Sequence, residues 1–241
     1  MIKSQLMHTL STPQIPFSQR LRESTRKAHS MAERAGFIRG FLRGVIDPQN
    51  YRQLLTDYYH VYDAMETVMS QSTHPIVSAI YFPELRRLPA IGRDLEYFAG
   101  PNWEMGLNPS KSAIAYAAQI HAIAKSDPEL LVAHAYTRYL GDLSGGQILK
   151  KILVSALNLP DNQGSNFYEF PEISDHAKFK KTFRRTLDEL PLAEFERVAI
   201  IEEANAVFAH NTAIFNELDG SAWDSVISML SHAFATPLRA A

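Results

Sequence analysis

The chain has 241 residues, 46% of them hydrophobic and 21% charged, with a formal net charge of −2; this is the balance of a globular protein of one large domain or two small ones. Such a charge carries no basic excess or stripe, so composition argues against a nucleic-acid partner. Cysteine is absent, which removes disulfides, iron–sulfur clusters and thiolate ligands and leaves histidine as the obvious side chain for a transition metal.

The first residues hold a lone lysine, polar interruptions and two prolines, without the apolar core of a secretory signal, and read as a flexible tail over 1–17. No window approaches 18 apolar residues free of charge, so neither a transmembrane helix nor a membrane anchor is expected and a cytoplasmic location fits. Helix signals dominate, strand alternation is scarce and no linker divides the chain. The expectation is an all-α fold, with one helical domain over 18–236. Helices are predicted at about 18–34, 37–44, 48–70, 109–125, 128–157, 174–189 and 191–218, with shorter pieces between 74 and 99 and a last helix near 221–234. Three of these starts rest on a capping Asp or Asn followed by proline: Asp47-Pro48, Asn108-Pro109 and Asp127-Pro128. Asn158 to Asn166 reads as a surface loop. In the last helix Trp223, Val226, Ile227, Met229 and Leu230 form an amphipathic pattern that should pack on the core.

On the first helix, Arg22, Arg26, His29 and Glu33 share one face beside Ala28 and Ala32. A neutral imidazole here could bind iron through one ring nitrogen while Glu33 accepts from the other, with the arginines taking carboxylates at a pocket rim. A plain solvated face is the competing reading. The helix over 48–70 carries Tyr58, Tyr62, Met65 and Met69 at helical spacing, ordinarily core, although clustered tyrosines need hydrogen-bond partners, and Tyr116 in the next long helix could join them.

The stretch HAYTRYLGDLSGGQILKKI, residues 134–152, is a helix weakened in its middle. Gly141, Gly145 and Gly146 each cost about 1 kcal/mol relative to alanine inside a helix, so the segment either lies against a flat ligand or crosses another helix at short range. Arg138 and Asp142 are i, i+4 neighbours, which holds a carboxylate next to bare backbone. Further on, KFKKTFRR aligns Lys180 with Arg184, and Lys181 with Arg185, as a solvated face or an anionic site. Phe208 and Asn211 lie three apart on an otherwise apolar stripe, where a buried Asn211 would need partners.

LRESTRKAHSMAE and TRYLGDLSGGQ closely resemble the haem oxygenase family, and the likeness extends from about residue 17 to 218 through HPIVSAIYFPEL, KFKKTFR and EEANAVFAHN. The HSMAE, FYEF and IYFPEL wording is most similar to the cyanobacterial and related forms. The resemblance implies a single all-helical domain that holds haem b between a proximal helix and a glycine-kinked distal helix. His29 matches the proximal iron ligand and Glu33 its hydrogen-bonding neighbour. Arg22, Arg26, Lys180 and Arg184 match basic positions near the propionates, while lysine is common in relatives at the first two. Tyr136, Thr137, Gly141, Ser144, Gly145 and Phe208 match positions against the macrocycle.

Asp142 matches the distal carboxylate, which orders water rather than binding iron, in a network whose matching members are Tyr62, Tyr116, Arg138 and Asn211. The implied reaction is oxidative opening of haem to biliverdin, by resemblance the IXα isomer, with release of Fe²⁺ and carbon monoxide. It consumes O₂ and electrons from outside. The chain has no GxGxxG nucleotide-binding fingerprint, so a separate reductant is needed, and reduced ferredoxin is the implied donor, with a bilin reductase as a possible downstream partner. The competing reading is a non-catalytic haem carrier or sensor with the same fold. A carrier has no need of Asp142, Arg138 and three glycines together.

Overall fold

The computed structural model describes residues 15–234, with side chains as far as residue 219. Most of the predicted tail and residues 235–236 of the predicted domain lie outside the described residues, as do the side chains of Trp223, Val226, Ile227, Met229 and Leu230. Nine α-helices and no strand occur among the described residues: α1 Phe17–Ala32, α2 Gly36–Leu42, α3 Pro48–Gln71, α4 Pro75–Ile80, α5 Leu88–Ala99, α6 Lys111–Ser126, α7 Leu131–Leu157, α8 His176–Glu189 and α9 Glu194–Phe234. Short 3₁₀ turns lie at 83–85, 103–106, 128–130 and 166–168.

Local chemistry explains the helix starts. Asp47 caps α3, its side chain accepting from the backbone N–H of Gln49 and Asn50 ahead of Pro48. The other two proline signals are displaced. Ser110, two residues after Asn108, caps α6 by accepting from Ala113, and Pro128 opens a 3₁₀ turn before α7 begins at Leu131. α7 runs unbroken through its three glycines and stops at Asn158, whose φ of +50° lies in the left-handed region that asparagine tolerates. The break expected between 218 and 221 does not occur, because α9 continues through Gly220, whose interior cost is only about 1 kcal/mol.

α3 is the central post. Tyr51, Leu55, Tyr58, Tyr62, Met65 and Met69 fall on one heptad-like stripe and are all buried. Around it pack α5, α6, α7 and α9, while α1 lies against α9 and α8. Consequently α9 touches both α1 and α7 and fixes them relative to each other.

Candidate functional site

The two helices singled out by sequence meet through α9. On α1, the His29 imidazole is 55% exposed and its Nδ1 lies 3.6 Å from Glu33 Oε1, an ion-pair distance longer than a hydrogen bond. The ring stands edge-on to Phe208 of α9, with centroids 5.4 Å apart. One turn later on α9, buried Asn211 accepts from Arg138 Nη1 of α7 at 2.6 Å and donates to the Val207 carbonyl at 2.8 Å. Phe208 and Asn211 therefore link the histidine to the far helix.

Arg138 is the hub of that helix. Besides Asn211, its guanidinium donates to the Tyr62 hydroxyl at 3.1 Å, the Tyr58 hydroxyl at 3.3 Å and Asp142 Oδ1 at 3.4 Å. It also lies 4.1 Å over the Tyr58 ring. The Tyr62 hydroxyl donates to Asp142 Oδ2. Burial pushes the Asp142 carboxyl above the ordinary range, and Arg138, Tyr62 and Arg87 pull it back.

Tyr58 is thus a member of the network that sequence reasoning left in the apolar stripe. Tyr116, expected in the same network, bonds instead to His134 Nδ1 at 3.3 Å and stacks on His210 at 4.9 Å. His134 Nε2 faces Glu203 Oε1 at 3.0 Å. Burial lowers the imidazole, and the bond from His134 lowers the Glu203 carboxyl. A neutral ring with its proton on Nε2 meets both contacts, donating to the carboxylate and accepting from the phenol.

The glycines divide into two kinds. A Cβ built on Gly141 or Gly145 would meet nothing within 4 Å, whereas one on Gly146 would lie 3.2 Å from Tyr168 Cδ1. Close packing on protein is therefore confined to Gly146, and Gly141 and Gly145 bare their backbone to open space beside Asp142 and exposed Ser144. Thr137 is buried on the same helix with its hydroxyl unpartnered. Burial raises the Tyr136 hydroxyl against the pull of Thr25 on α1, Arg184 and Arg22. Arg22, Arg26 and Arg184 are exposed and Lys180 partly so, and among the described residues none of the four has a carboxylate partner.

A wall of bare helix backbone, a separate solvent-facing imidazole and unpaired cations near Tyr136 suit a flat, anionic, metal-bearing ring, which places the protein in the class of all-α haem proteins. Comparison narrows the class. A family model described as Heme oxygenase matches residues 15–217. Among similar proteins, Heme oxygenase 1 of Nostoc sp. is 49% identical over 214 residues, spanning 88% of this chain and 90% of that one. Heme oxygenase 2 of Macaca fascicularis is 44% identical over 205 residues, spanning 84% and 65%. The crystal structure of heme oxygenase-1 from the cyanobacterium Synechocystis sp. in complex with heme superposes with a TM-score of 0.85 at 45% identity, covering 92% of this chain and all of that one. The chain belongs to the heme oxygenase family.

Proposed function

We infer that this protein is a haem oxygenase that opens haem oxidatively to biliverdin, releasing Fe²⁺ and carbon monoxide and consuming O₂ and externally supplied electrons. The observation that carries the reading is the placement of Asp142, caged by Tyr62 and Arg138, directly beside the bare backbone of Gly141 and Gly145. Bound haem supplies the iron that activates O₂ and the meso carbon that is oxidised.

The chain's own residues divide the remaining work. His29 would bind the iron through Nε2, since Nδ1 is turned to Glu33. Arg22, Arg26, Lys180 and Arg184 would hold the propionates. Tyr136, Thr137, Ser144 and Phe208 would flank the ring, and Gly141 with Gly145 would let α7 lie on its face. Asp142 Oδ2 is occupied by the Tyr62 hydroxyl, so Oδ1, held only by the 3.4 Å contact to Arg138, is the atom open to water. A carboxyl whose hold on a proton is raised by burial can take a proton from that water and return it, which would direct protons toward the reacting oxygen. Tyr58, Asn211 and Arg138 hold the carboxylate in place, while Tyr116 bonds His134.

The reading assigns the activity to one domain, residues 18–236. No helix among the described residues is long and apolar enough to cross a membrane. Reduced ferredoxin is the proposed donor: with Lys180 and Arg184 on the propionate side, the exposed cations Lys181 and Arg185 of α8 suit an acidic protein docking near the ring edge. The proposed setting is the cytoplasm, with a bilin reductase taking up the product. The purified chain, given one equivalent of haem, O₂ and reduced ferredoxin, should convert the Soret band to biliverdin absorption with release of iron. Haem that stays bound and intact would leave a carrier or sensor.

A further inference from the structure

The turn at 166–168 is held more firmly than a connecting loop requires. Loops ordinarily lie on the surface and give their backbone polar groups to water. Here two buried charges take them. Asp94 of α5 accepts from the backbone N–H of Asn166 at 2.8 Å, the Asn166 side chain at 2.7 Å and the backbone N–H of Phe167 at 2.7 Å. Arg87, just before α5, donates to the Phe167 carbonyl at 3.1 Å and to the Glu169 carbonyl, and lies 3.7 Å over the Phe170 ring. Both residues are almost fully buried; Arg87 gives Nη1 to the turn and Nε to the Leu85 carbonyl at 2.9 Å, and Asp94 gives both carboxylate oxygens to the turn.

What the turn touches gives it meaning. Toward α7, Tyr168 abuts Gly146, its carbonyl accepts from Gln147 Nε2 at 2.9 Å, and Glu169 pairs with Lys150. Toward α3, the Phe167 ring lies 5.6 Å from Tyr58 and 6.0 Å from Tyr62, the two phenols that bond Arg138. One anchored turn therefore bears on both helices whose side chains meet at Asp142. A side-chain network across two helices keeps its geometry only if their spacing is fixed, and misplacement of a catalytic group by about 1 Å can cost about 100-fold in rate.

Resting on the haem oxygenase reading, we propose that the turn at 166–168, locked by Arg87 and Asp94, is the spacer between α7 and α3 that positions the Asp142 carboxylate, and that Arg87, Asp94, Gly146 and Tyr168 are positioning residues for ring opening. The third glycine is explained by this spacer and not by the ligand: it gives Tyr168 a seat on α7 that a methyl group would narrow.

The test uses the full chain with ferric haem bound. Three quantities are measured for wild type, Arg87→Met, Gly146→Ala, Tyr168→Leu and the Gly146→Ala/Tyr168→Leu double variant: thermal stability, haem affinity and the midpoint pH of the acid–alkaline spectral transition of the ferric complex. Gly146→Ala, which removes no hydrogen bond, should move the midpoint by about half a pH unit or more, roughly threefold in the acid constant, with haem affinity unchanged. In the double variant the alanine should add nothing to the effect of Tyr168→Leu. Lowered stability with an unmoved midpoint in Gly146→Ala and Tyr168→Leu would overturn the proposal and leave the turn a structural staple. Additive effects in the double variant would overturn it as well. Should Arg87→Met fail to fold, the Gly146 and Tyr168 variants decide alone. Wild-type turnover to biliverdin in the same samples reports separately on the underlying activity.

Discussion

Replacing Gly141 or Gly145 by alanine is expected to stabilise the haem-free protein while impairing its chemistry. Each glycine costs about 1 kcal/mol relative to alanine in a helix interior, and in a chain of this size 1 kcal/mol at the midpoint moves Tm by about 2–4 °C. The structure determines which of the three glycines returns that energy. A Cβ at Gly141 or Gly145 meets nothing within 4 Å and should deliver the full gain, whereas at Gly146 it meets Tyr168 Cδ1 at 3.2 Å, so the propensity gain is offset by repulsion. Thermal melts of the three single variants without haem should give gains of about 1 kcal/mol for the first two and none for the third. Haem titration on the same proteins should show the opposite order, with binding weakened in the Gly141 and Gly145 variants because the methyl group occupies the face that meets the ring. If Gly141→Ala or Gly145→Ala lowered Tm instead, those glycines would be serving a helix crossing, and the reasoning that assigns their face to a ligand would fail.

Arg138→Met removes the cation 3.4 Å from Asp142 Oδ1, an attraction of about 5 kcal/mol at an effective dielectric of about 20, so the carboxyl, already raised by burial, should hold its proton to a higher pH than in the wild type. An infrared carboxylic-acid band that persists to higher pH in Arg138→Met than in the wild type, and is missing from Arg138→Met/Asp142→Asn, would register this, with biliverdin formation lost; a band that titrates at the same pH in both proteins would contradict it. Asp142→Ala should lower biliverdin yield even with haem bound normally, and an undiminished yield would show that another group orders the water. Asp57 is fully buried, with Oδ1 accepting from Ser110 N–H at 2.7 Å and from Gln53 at 3.0 Å and Oδ2 unpartnered. Burial raises its carboxyl in the folded state, so the folded protein holds that proton more tightly than the unfolded chain does, and the contribution to stability falls as pH rises through the folded value. Denaturant melts should therefore show wild type losing stability relative to Asp57→Asn from about pH 4 upward, by at most about 1.4 kcal/mol per unit of difference between the two states. A flat or rising difference would refute the assignment.

How much of this was readable in advance depended on how local the cause was. The cap at Asp47-Pro48 involves neighbours in sequence and was legible, as was the grouping of Arg138, Gly141 and Asp142 on one helix. Asn108-Pro109 misled because Ser110, two residues on, is an equally good cap whose hydroxyl reaches Ala113. The break expected between 218 and 221 does not occur, because the single interior glycine there, Gly220, costs about 1 kcal/mol, too little to end a helix that is otherwise continuous. Tyr58 hid in plain helical spacing, since it packs on Phe167 and bonds Arg138 at once. The pairs His134–Glu203 and Asp94–Phe167 join residues about 70 apart, and one sequence offers no register for such pairings. The available signal was weaker: a histidine inside the apolar run LLVAHAY and an aspartate inside IGRDLEYF, each needing a partner if buried.

In the proposed mechanism His29 and the glycine-bearing face of α7 act on the same haem. A single-turnover experiment on wild type and His29→Ala, each with one equivalent of haem, O₂ and reducing equivalents, with and without added imidazole, tests that directly. Wild type should form biliverdin, His29→Ala should not, and imidazole should restore the reaction in the variant by replacing the missing ring. Equal biliverdin formation by the two proteins without imidazole, or intact haem in the wild type, would contradict it.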